Sequence, residues 1–261
     1  MGSPRAGFHG TVGQSSAQVI DGSLRVRDGA SGQYMSRTAT SGNRRTWTWS
    51  AWIKKEQLVD KQTFMFAETD DSNQTSFGFQ SEVATPKSGF YFRTEISGTT
   101  VNATLNAVLR DCSGWYHVVV ACDTTQSAAN DRVKVYINGT LQTWSTSPGM
   151  AQNADLQINH NVQQELFSTN QLADIDCKVA QVYLLDGTAV GPGEFGFTDP
   201  LTNTWRPKKY TGSAWGTNGF YLPLDGNSPV GKDMSGEGHD WTPINFGGSN
   251  SIEKATGAFP I

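Results

Sequence analysis

Aromatic and charged side chains alternate with apolar ones in two segments of the sequence. Trp52 lies opposite the apolar side of its segment, and in residues 90–95 the side chains Tyr91, Arg93 and Glu95 share one side. Sugars bind where an aromatic ring stacks on their C–H face and polar groups bond their hydroxyls, so this set suits a glycan. The alternative is that the aromatic rings pack between sheets or against the C-terminal segment, and that the charged pair is a cross-strand ion pair.

Motifs for nucleophilic, metal-dependent or phosphate chemistry are missing from the sequence. The histidines are His9, His117, His160 and His239, and neither G-x-S-x-G nor H-E-x-x-H accompanies them. Because His117 falls in a predicted core strand, we interpret it as a structural histidine. The glycine clusters do not follow a strand and open a helix, so they do not form the usual phosphate-binding loop.

The elements that must position these groups are short β-strands. In residues 46–54 every second side chain is apolar, which predicts a half-buried strand. Residues 132–141 predict a strand, an Asn-Gly turn and a returning strand. Further strands are predicted at 23–26, 64–67, 76–80, 89–95, 115–123, 156–159, 179–185 and 219–222. Only residues 161–172 and 192–195 have weak helical character, so the pattern favours a β-sandwich.

Composition excludes several classes of partner. Twenty basic and twenty-four acidic residues give a net charge of −4 without a basic cluster, which disfavours nucleic acid. The apolar stretches are too short to span a bilayer, so we expect no membrane partner. The cysteines Cys112, Cys122 and Cys177 have no C-x-x-C spacing and are expected to be small hydrophobic side chains outside any disulfide framework.

Composition also predicts three parts along the chain. Residues 1–20 are polar and glycine-rich and predict an N-terminal arm, residues 21–197 predict the sandwich, and residues 198–261 are rich in Gly, Trp and Pro. We expect this last part to wrap the sandwich or attach it to a partner. The opening residues contain no continuous apolar stretch, so a standard secretory signal is not expected.

Five segments, in this order, carry a resemblance to a known family: SLRVRDGASGQYMSRT, NRRTWTWSAWIKK, GWYHVVVACDTT, VKVYINGTLQ and DCKVAQVYLLDGTAV. Together they resemble the concanavalin A-like lectin/glucanase fold in its laminin-G-like form. This resemblance covers residues 20–190 and implies an all-β fold, an antiparallel β-sandwich of the jelly-roll type. Downstream, WRPK, YTG, NGFYL and DMSGEGHDW are similar to the tail attached to such domains in structural proteins of tailed bacteriophages.

The family resemblance also bears on the acidic side chains. Glucanases of this fold use the pattern E-x-D-x-x-E, whereas residues 68–73 place Asn73 where the last acid belongs. An amide cannot act as a general acid, so we expect no enzymatic activity. Related domains often hold Ca²⁺ through loop carboxylates, and here the candidate ligands are Glu68, Asp70 and Asp71 in one loop and Asp233, Glu237 and Asp240 in another. The alternative is that both groups are solvated acidic turns.

The resemblance implies a non-catalytic protein on the surface of a tailed phage virion. We expect a capsid decoration or short appendage that contacts other virion proteins and binds host-surface carbohydrate. Such a protein would be made in the host cytoplasm and released by lysis, and it would form homo-oligomers because virion surface sites are symmetric. The alternatives are a receptor-binding tail fibre or spike and, less favoured, a polysaccharide-cleaving enzyme.

Overall fold

The computed structural model describes residues 18–27, 32–58, 61–81, 89–170, 172–173, 175–246 and 252–253. This part of the chain is built from β-strands and two single-turn 3-10 helices, Ala129–Asp131 and Pro192–Glu194. The strands are β1 (Ser23–Val26), β2 (Tyr34–Thr38), β3 (Thr46–Lys55), β4 (Gln62–Asp70), β5 (Asn73–Phe79), β6 (Phe90–Ile96), β7 (Thr99–Leu105), β8 (Tyr116–Asp123), β9 (Val133–Ile137), β10 (Thr140–Leu141), β11 (Trp144–Thr146), β12 (Gln163–Leu166), β13 (Ser168–Thr169), β14 (Leu172–Ala173), β15 (Cys177–Asp186), β16 (Gly196–Thr198), β17 (Trp205–Pro207), β18 (Phe220–Leu222), β19 (Thr242–Ile244) and β20 (Ile252–Glu253).

Two antiparallel sheets of eight strands form a sandwich, which confirms the predicted fold class. Sheet A has the order β10-β9-β8-β3-β15-β1-β20, and β18 also pairs with β15. Sheet B has the order β11-β7-β6-β5-β4-β12-β2-β19. Two short hairpins, β13-β14 and β16-β17, lie outside the main sheets. No helix in the described ranges has the length and apolar character needed to cross a membrane.

The core between the sheets follows from the period-two pattern of the strands. Trp47, Trp49 and Ile53 on β3 are fully buried, as the alternation in that segment predicts. The opposite face of β3, with Thr48, Ser50 and Trp52, is buried as well, so the prediction of a half-buried strand is wrong. Trp49 stacks on Phe64 of sheet B with ring centroids 5.6 Å apart, and it meets Phe77 edge to face at 5.3 Å. These aromatic contacts join β3 to β4 and β5 across the sandwich.

Two further local predictions are wrong. Residues 156–159 form bends and turns rather than a strand, although Leu156 and Ile158 are buried, and Asn159 has a φ of 64° that a strand does not allow. Within 161–172 the residues that the structure describes are not helical, and Gln163–Leu166 pairs with both β2 and β4. Pairing on both edges of this segment outweighs its weak helical pattern. The helical prediction at 192–195 agrees with the turn Pro192–Glu194.

The C-terminal segment contributes strands to both sheets. β18 pairs with β15 in sheet A, and β19 pairs with β2 in sheet B. The predicted boundary at residue 197 therefore lies between strands that share the same sheets, and whether the parts fold separately stays a prediction. Most of the predicted N-terminal arm, residues 1–17, lies outside the described residues, as do residues 247–251 and 254–261.

Candidate functional site

The outer face of sheet A is covered by the chain itself. A second hydrophobic cluster lies on this face and contains Val119, Tyr183, Leu185, Phe195, Tyr210, Trp215 and Tyr221. Tyr183 stacks on Tyr221 with ring centroids 4.4 Å apart, and Phe195 contacts Tyr183 at 5.2 Å. The segment after β15 thus removes most of this face from solvent.

Trp52, one of the predicted sugar-binding residues, belongs to the covered face. Its side chain is only 4% exposed and packs with Ile20 and Ala180, while Trp205 packs against the same group. Its ring also stacks on His117 with centroids 4.8 Å apart. Trp52 therefore packs against the C-terminal segment, as the alternative interpretation has it, and lies on a different sheet from Tyr91, Arg93 and Glu95.

His117 is a neutral, fully enclosed histidine. Burial lowers its pKa from the ordinary 6.5 to about 3. Trp205 donates its indole N–H to His117 Nδ1 at 2.9 Å, so the remaining proton sits on Nε2, which donates to Ser50 Oγ at 2.9 Å. Because both Ser50 and His117 are buried under Trp205, this pair is structural and does not face a substrate.

The outer face of sheet B carries mostly polar side chains in register across its strands, and the exposed part of it lies around Glu68, Gln74, Arg93 and Glu95. Three rows of cross-strand neighbours point away from the core: Ser36, Glu165, Phe66, Ser76, Arg93 and Asn102; Glu68, Gln74, Glu95 and Thr100; and Thr63, Gly78, Tyr91 and Thr104. The intervening Phe77 and Phe92 are fully buried, which fixes this orientation. We call these three rows the polar face.

Arg93 lies at the centre of the polar face. Its guanidinium donates to Glu95 Oε2 at 2.7 Å and to Gln74 Oε1. The side chains of Arg93 and Glu95 are 32% and 14% exposed, so both remain within reach of a ligand. Arg93 and Glu95 form an ion pair, but within one strand, β6, and not across two strands as the alternative interpretation expects. Gln74 of the neighbouring β5 supplies the cross-strand hydrogen bond to Arg93.

Tyr91, the third predicted residue on this face, is mostly enclosed. It is 5% exposed, and its hydroxyl hydrogen-bonds Thr63 Oγ1 at 2.8 Å. The ammonium group of Lys61 lies 4.8 Å from the centre of its ring, over the ring face. Tyr91 thus supports the polar face and does not offer a free ring for stacking.

The first predicted calcium group forms one acidic edge of the polar face. Burial raises the pKa of Glu68, and the neighbouring charges of Asp71, Glu165 and Asp70 raise it further. Asp70 ends β4 and accepts hydrogen bonds from the Ser72 amide at 2.9 Å and from the Asn73 side chain at 3.0 Å, which closes the β4–β5 turn. The carboxylate of Asp70 is therefore used by its own hairpin.

The second predicted calcium group is also engaged by the chain. Asp233 accepts hydrogen bonds from the backbone of Tyr221, Ser235 and His239 at 2.8–2.9 Å. Burial alone would raise the pKa of Asp233, but these hydrogen bonds outweigh it and the net shift is downward. Asp240 accepts from the Asp233 amide at 2.9 Å. Among the residues that the structure describes, no three His, Cys, Asp or Glu side chains are arranged to hold a metal ion, and calcium binding stays a prediction.

Sequence reasoning missed a buried carboxylate at the end of β15. Asp186 is 5% exposed, and its oxygens accept from the Asn43 amide at 2.8 Å, from Asn159 Nδ2 at 3.0 Å, and from the Asn218 amide and Nδ2 at 3.0 and 3.1 Å. Burial raises its pKa despite these bonds. The only signal in the sequence is the Asp186-Gly187 pair, which is typical of a turn and does not indicate a buried carboxylate. Asp186 thus connects, through hydrogen bonds, three segments that are distant in the sequence, around Asn43, Asn159 and Asn218.

Arg37 lies beside this carboxylate, on the inner side of sheet B. Its guanidinium donates to the Asn218 carbonyl and Oδ1, both at 3.2 Å, and lies over the rings of Phe220 and Trp241. Burial lowers the pKa of Arg37 to about 10, although the carboxylates of Asp233 and Asp186 oppose that shift. This group connects β2 to the C-terminal segment and has a structural role.

Family comparison agrees with this architecture. Residues 28–174 match a laminin-G family described as the concanavalin A-like lectin/glucanases superfamily. The match covers more than half of the 261 residues, and the chain belongs to this superfamily. The protein is therefore a lectin-like β-sandwich. No curated protein sequence matches the chain.

Solved structures with a similar fold are distant in sequence. The native heptameric SAP-like pentraxin from Limulus polyphemus is 14% identical, with a TM-score of 0.48, over 80% of this chain and 94% of that one. Tailspike protein 2 of an Escherichia coli O157:H7 bacteriophage is 12% identical, with a TM-score of 0.45, over 66% of this chain and 23% of the tailspike. Domain 4 of an extracellular arabinanase from Geobacillus stearothermophilus, in complex with arabinotriose, is 18% identical, with a TM-score of 0.43, over 68% of this chain and 82% of that domain. These similarities concern the fold alone.

Proposed function

We propose that this protein is a non-catalytic carbohydrate-binding protein and that the polar face of sheet B binds the glycan. The observation that carries the proposal is the difference between the two outer faces. The chain covers the face of sheet A with its own aromatic residues, whereas on sheet B Arg93, Glu95 and Gln74 remain partly exposed. A row of planar polar groups held by mutual hydrogen bonds suits the hydroxyls of a sugar.

The chemistry of this face favours an uncharged sugar. Glu68, Glu95 and the buried Glu165 lie on the polar face with Arg93, and Asp70 and Asp71 flank it. This excess of carboxylates repels an acidic glycan. Carboxylate oxygens accept hydrogen bonds from sugar hydroxyls, and Arg93 donates to them. The ligand we propose is a neutral polysaccharide of a host cell surface, bound without a metal ion.

The site of action we propose is the surface of a tailed phage particle. Support comes from the residues between Trp205 and Trp241, whose motifs are similar to the tails of phage structural proteins. The protein would act as a capsid decoration or short appendage, in a homo-oligomer and in contact with other virion proteins. Purified protein added to particles that lack it should then give regular density in cryo-electron microscopy. Density at the tail alone would favour the fibre or spike alternative.

Replacement of Arg93 tests the binding face. Arg93→Ala should weaken binding to the best ligand of a neutral glycan array by about tenfold or more, because a hydrogen bond to a charged group contributes about 1.5–3 kcal/mol. Arg45→Ala is the matched control, since Arg45 also pairs with a carboxylate, Asp155, at 2.7 Å on the surface. Equal affinities of the two variants, measured by titration calorimetry, would place the site elsewhere.

The same ligand distinguishes binding from cleavage. Incubation with the polysaccharide should release no new reducing ends, and a chelator should leave the affinity unchanged. Release of reducing ends that disappears in Glu95→Gln or Asp70→Asn would replace the proposal with a glycoside-cleaving enzyme. Loss of binding with the chelator would instead support the predicted calcium site at Glu68, Asp70 and Asp71 or at Asp233 and Asp240.

A further inference from the structure

A small cavity opens at the edge of the covered face of sheet A, away from the polar face. Its volume is about 190 Å³, and it is lined by Ala121, Asp123, Gln126, Asp131, Lys134, Tyr136, Ala189, Val190 and Gly191. Ala121 and Lys134 are direct cross-strand neighbours on β8 and β9, and they form its floor and one side. Residues 189–191, which follow β15, form the opposite wall.

Buried side chains hold both walls of the cavity in place. On one side Thr48 Oγ1 donates to the Thr188 carbonyl at 2.7 Å and accepts from the Val190 amide at 2.9 Å. On the other side Arg132 donates to the carbonyls of Gln126 at 2.9 Å and Ser127 at 2.7 Å. Thr48 is fully buried and Arg132 is 9% exposed, so these tethers lie under the walls. A site fixed in advance loses little conformational entropy on binding.

The lining combines an apolar floor with a polar rim. Tyr136 and Val190 pack against the aromatic cluster of sheet A, and Ala121 leaves space between them. On the rim, Lys134 Nζ lies 3.3 Å from Asp131 Oδ1. Burial would raise the pKa of Asp123, but hydrogen bonds from Thr125 and Gln126, together with the charge of Lys134, lower it. Gln126 adds an amide to the rim, bonded to Asp123 at 2.5 Å.

The size and chemistry of the cavity select one kind of ligand. Pockets for drug-sized molecules measure roughly 300–1,000 Å³, so this cavity admits a single ring. Two carboxylates against one ammonium disfavour an acidic ligand. We propose that the cavity is a second, separate binding site for one neutral hexose unit. One face of the sugar rests on Tyr136 and Ala121, and its hydroxyls bond to Gln126, Asp131 and Lys134.

The test uses the full chain and three simple sugars. Methyl α-mannoside, methyl β-galactoside and methyl β-glucoside are titrated while the backbone amide signals are followed by NMR. At least one sugar should shift the amides of residues 121–136 and 189–191, with a dissociation constant of roughly millimolar size, as expected for one small ring. Absence of shifts at these residues with all three sugars would overturn the proposal.

Matched lysine variants separate this cavity from the polar face. Lys134→Ala should weaken the binding of the single sugar at least tenfold, whereas Lys232→Ala, which removes an exposed lysine paired to Asp240 at 2.9 Å, should leave it unchanged. Arg93→Ala should also leave it unchanged, even if it abolishes polysaccharide binding. Loss in Arg93→Ala but not in Lys134→Ala would assign all sugar binding to the polar face and refute the second site.

Discussion

Buried polar side chains decide much of the local structure at the residue scale. His117 accepts a hydrogen bond from Trp205 and donates one to Ser50, so each ring nitrogen has a partner. Protonation of Nδ1 would place two donors against each other and put a charge in a fully buried site. The fold therefore requires the neutral imidazole, and this requirement links stability to pH.

The first prediction is that His117 makes the protein less stable in mild acid. Its pKa is about 3 in the folded chain and 6.5 ordinarily, so between these values only the unfolded chain binds the proton. Its contribution to stability is complete above pH 6.5 and falls as the pH drops, by up to about 1.4 kcal/mol per pH unit. The check is urea unfolding at several pH values from about 7 to about 4.

The matched variants for this experiment are His117→Asn and Ser50→Ala. The asparagine variant removes the titrating group, so its stability should fall less steeply with acid than that of the parent protein. Ser50→Ala lowers stability but keeps the buried imidazole, and its slope should match the parent's. A parent slope that persists in His117→Asn would assign the pH dependence to the carboxylates instead.

The elements of the C-terminal segment are part of the sandwich. β18 and β19 extend both sheets, and Asn218 binds Asp186, Arg37 and Thr40 at the end of β15 and β2. The close approach at this point also explains a glycine, because a Cβ at Gly42 would lie 2.1 Å from an oxygen of Asp186. The last third of the chain is thus joined to the first by hydrogen bonds as well as by packing.

Truncation tests whether the strands of the C-terminal segment are needed for the sandwich to fold. A chain that ends at residue 197 loses β18, β19 and the aromatic cover that Tyr210, Trp215 and Tyr221 give to sheet A, so we expect it to lose cooperative thermal unfolding and most of its near-ultraviolet circular dichroism. A chain that ends at residue 253 keeps β18, β19 and β20 and should melt within a few degrees of the full chain. If the shorter chain also melts cooperatively at that temperature, the segment is an appendage, as the predicted boundary implies.

At the scale of the whole molecule, the two sheets and the covering segment leave little access to the interior thiols. Cys122 and Cys177 are fully buried, and burial raises the pKa of both thiols well above its ordinary value. Cys112 is partly exposed. The thiolate is the reactive form, so burial and the raised pKa both protect the first two.

Iodoacetamide labelling measures this protection. The native protein should gain one carbamidomethyl group, at Cys112, and the protein unfolded in guanidinium should gain three, as counted by intact-mass spectrometry. Cys112→Ser serves as the control and should gain none in the native state. Rapid labelling of Cys122 or Cys177 without denaturant would mean that the sandwich opens far more readily than its burial indicates.

The sequence by itself determined the strands with strong alternation, the Asn-Gly turn after β9 and the sandwich class, because side-chain period and turn chemistry are local properties. It could not decide which outward side chains stay exposed. Trp52 and Arg93 both alternate with core residues, yet Trp205 covers the side of Trp52 while nothing in the described chain seals Arg93. The residues that cover an outward side chain come from segments far along the chain. Trp205, for example, contacts His117, which is 88 residues away in the sequence. Contacts over such separations depend on how the sheets and the C-terminal segment pack, and only the tertiary structure supplies that.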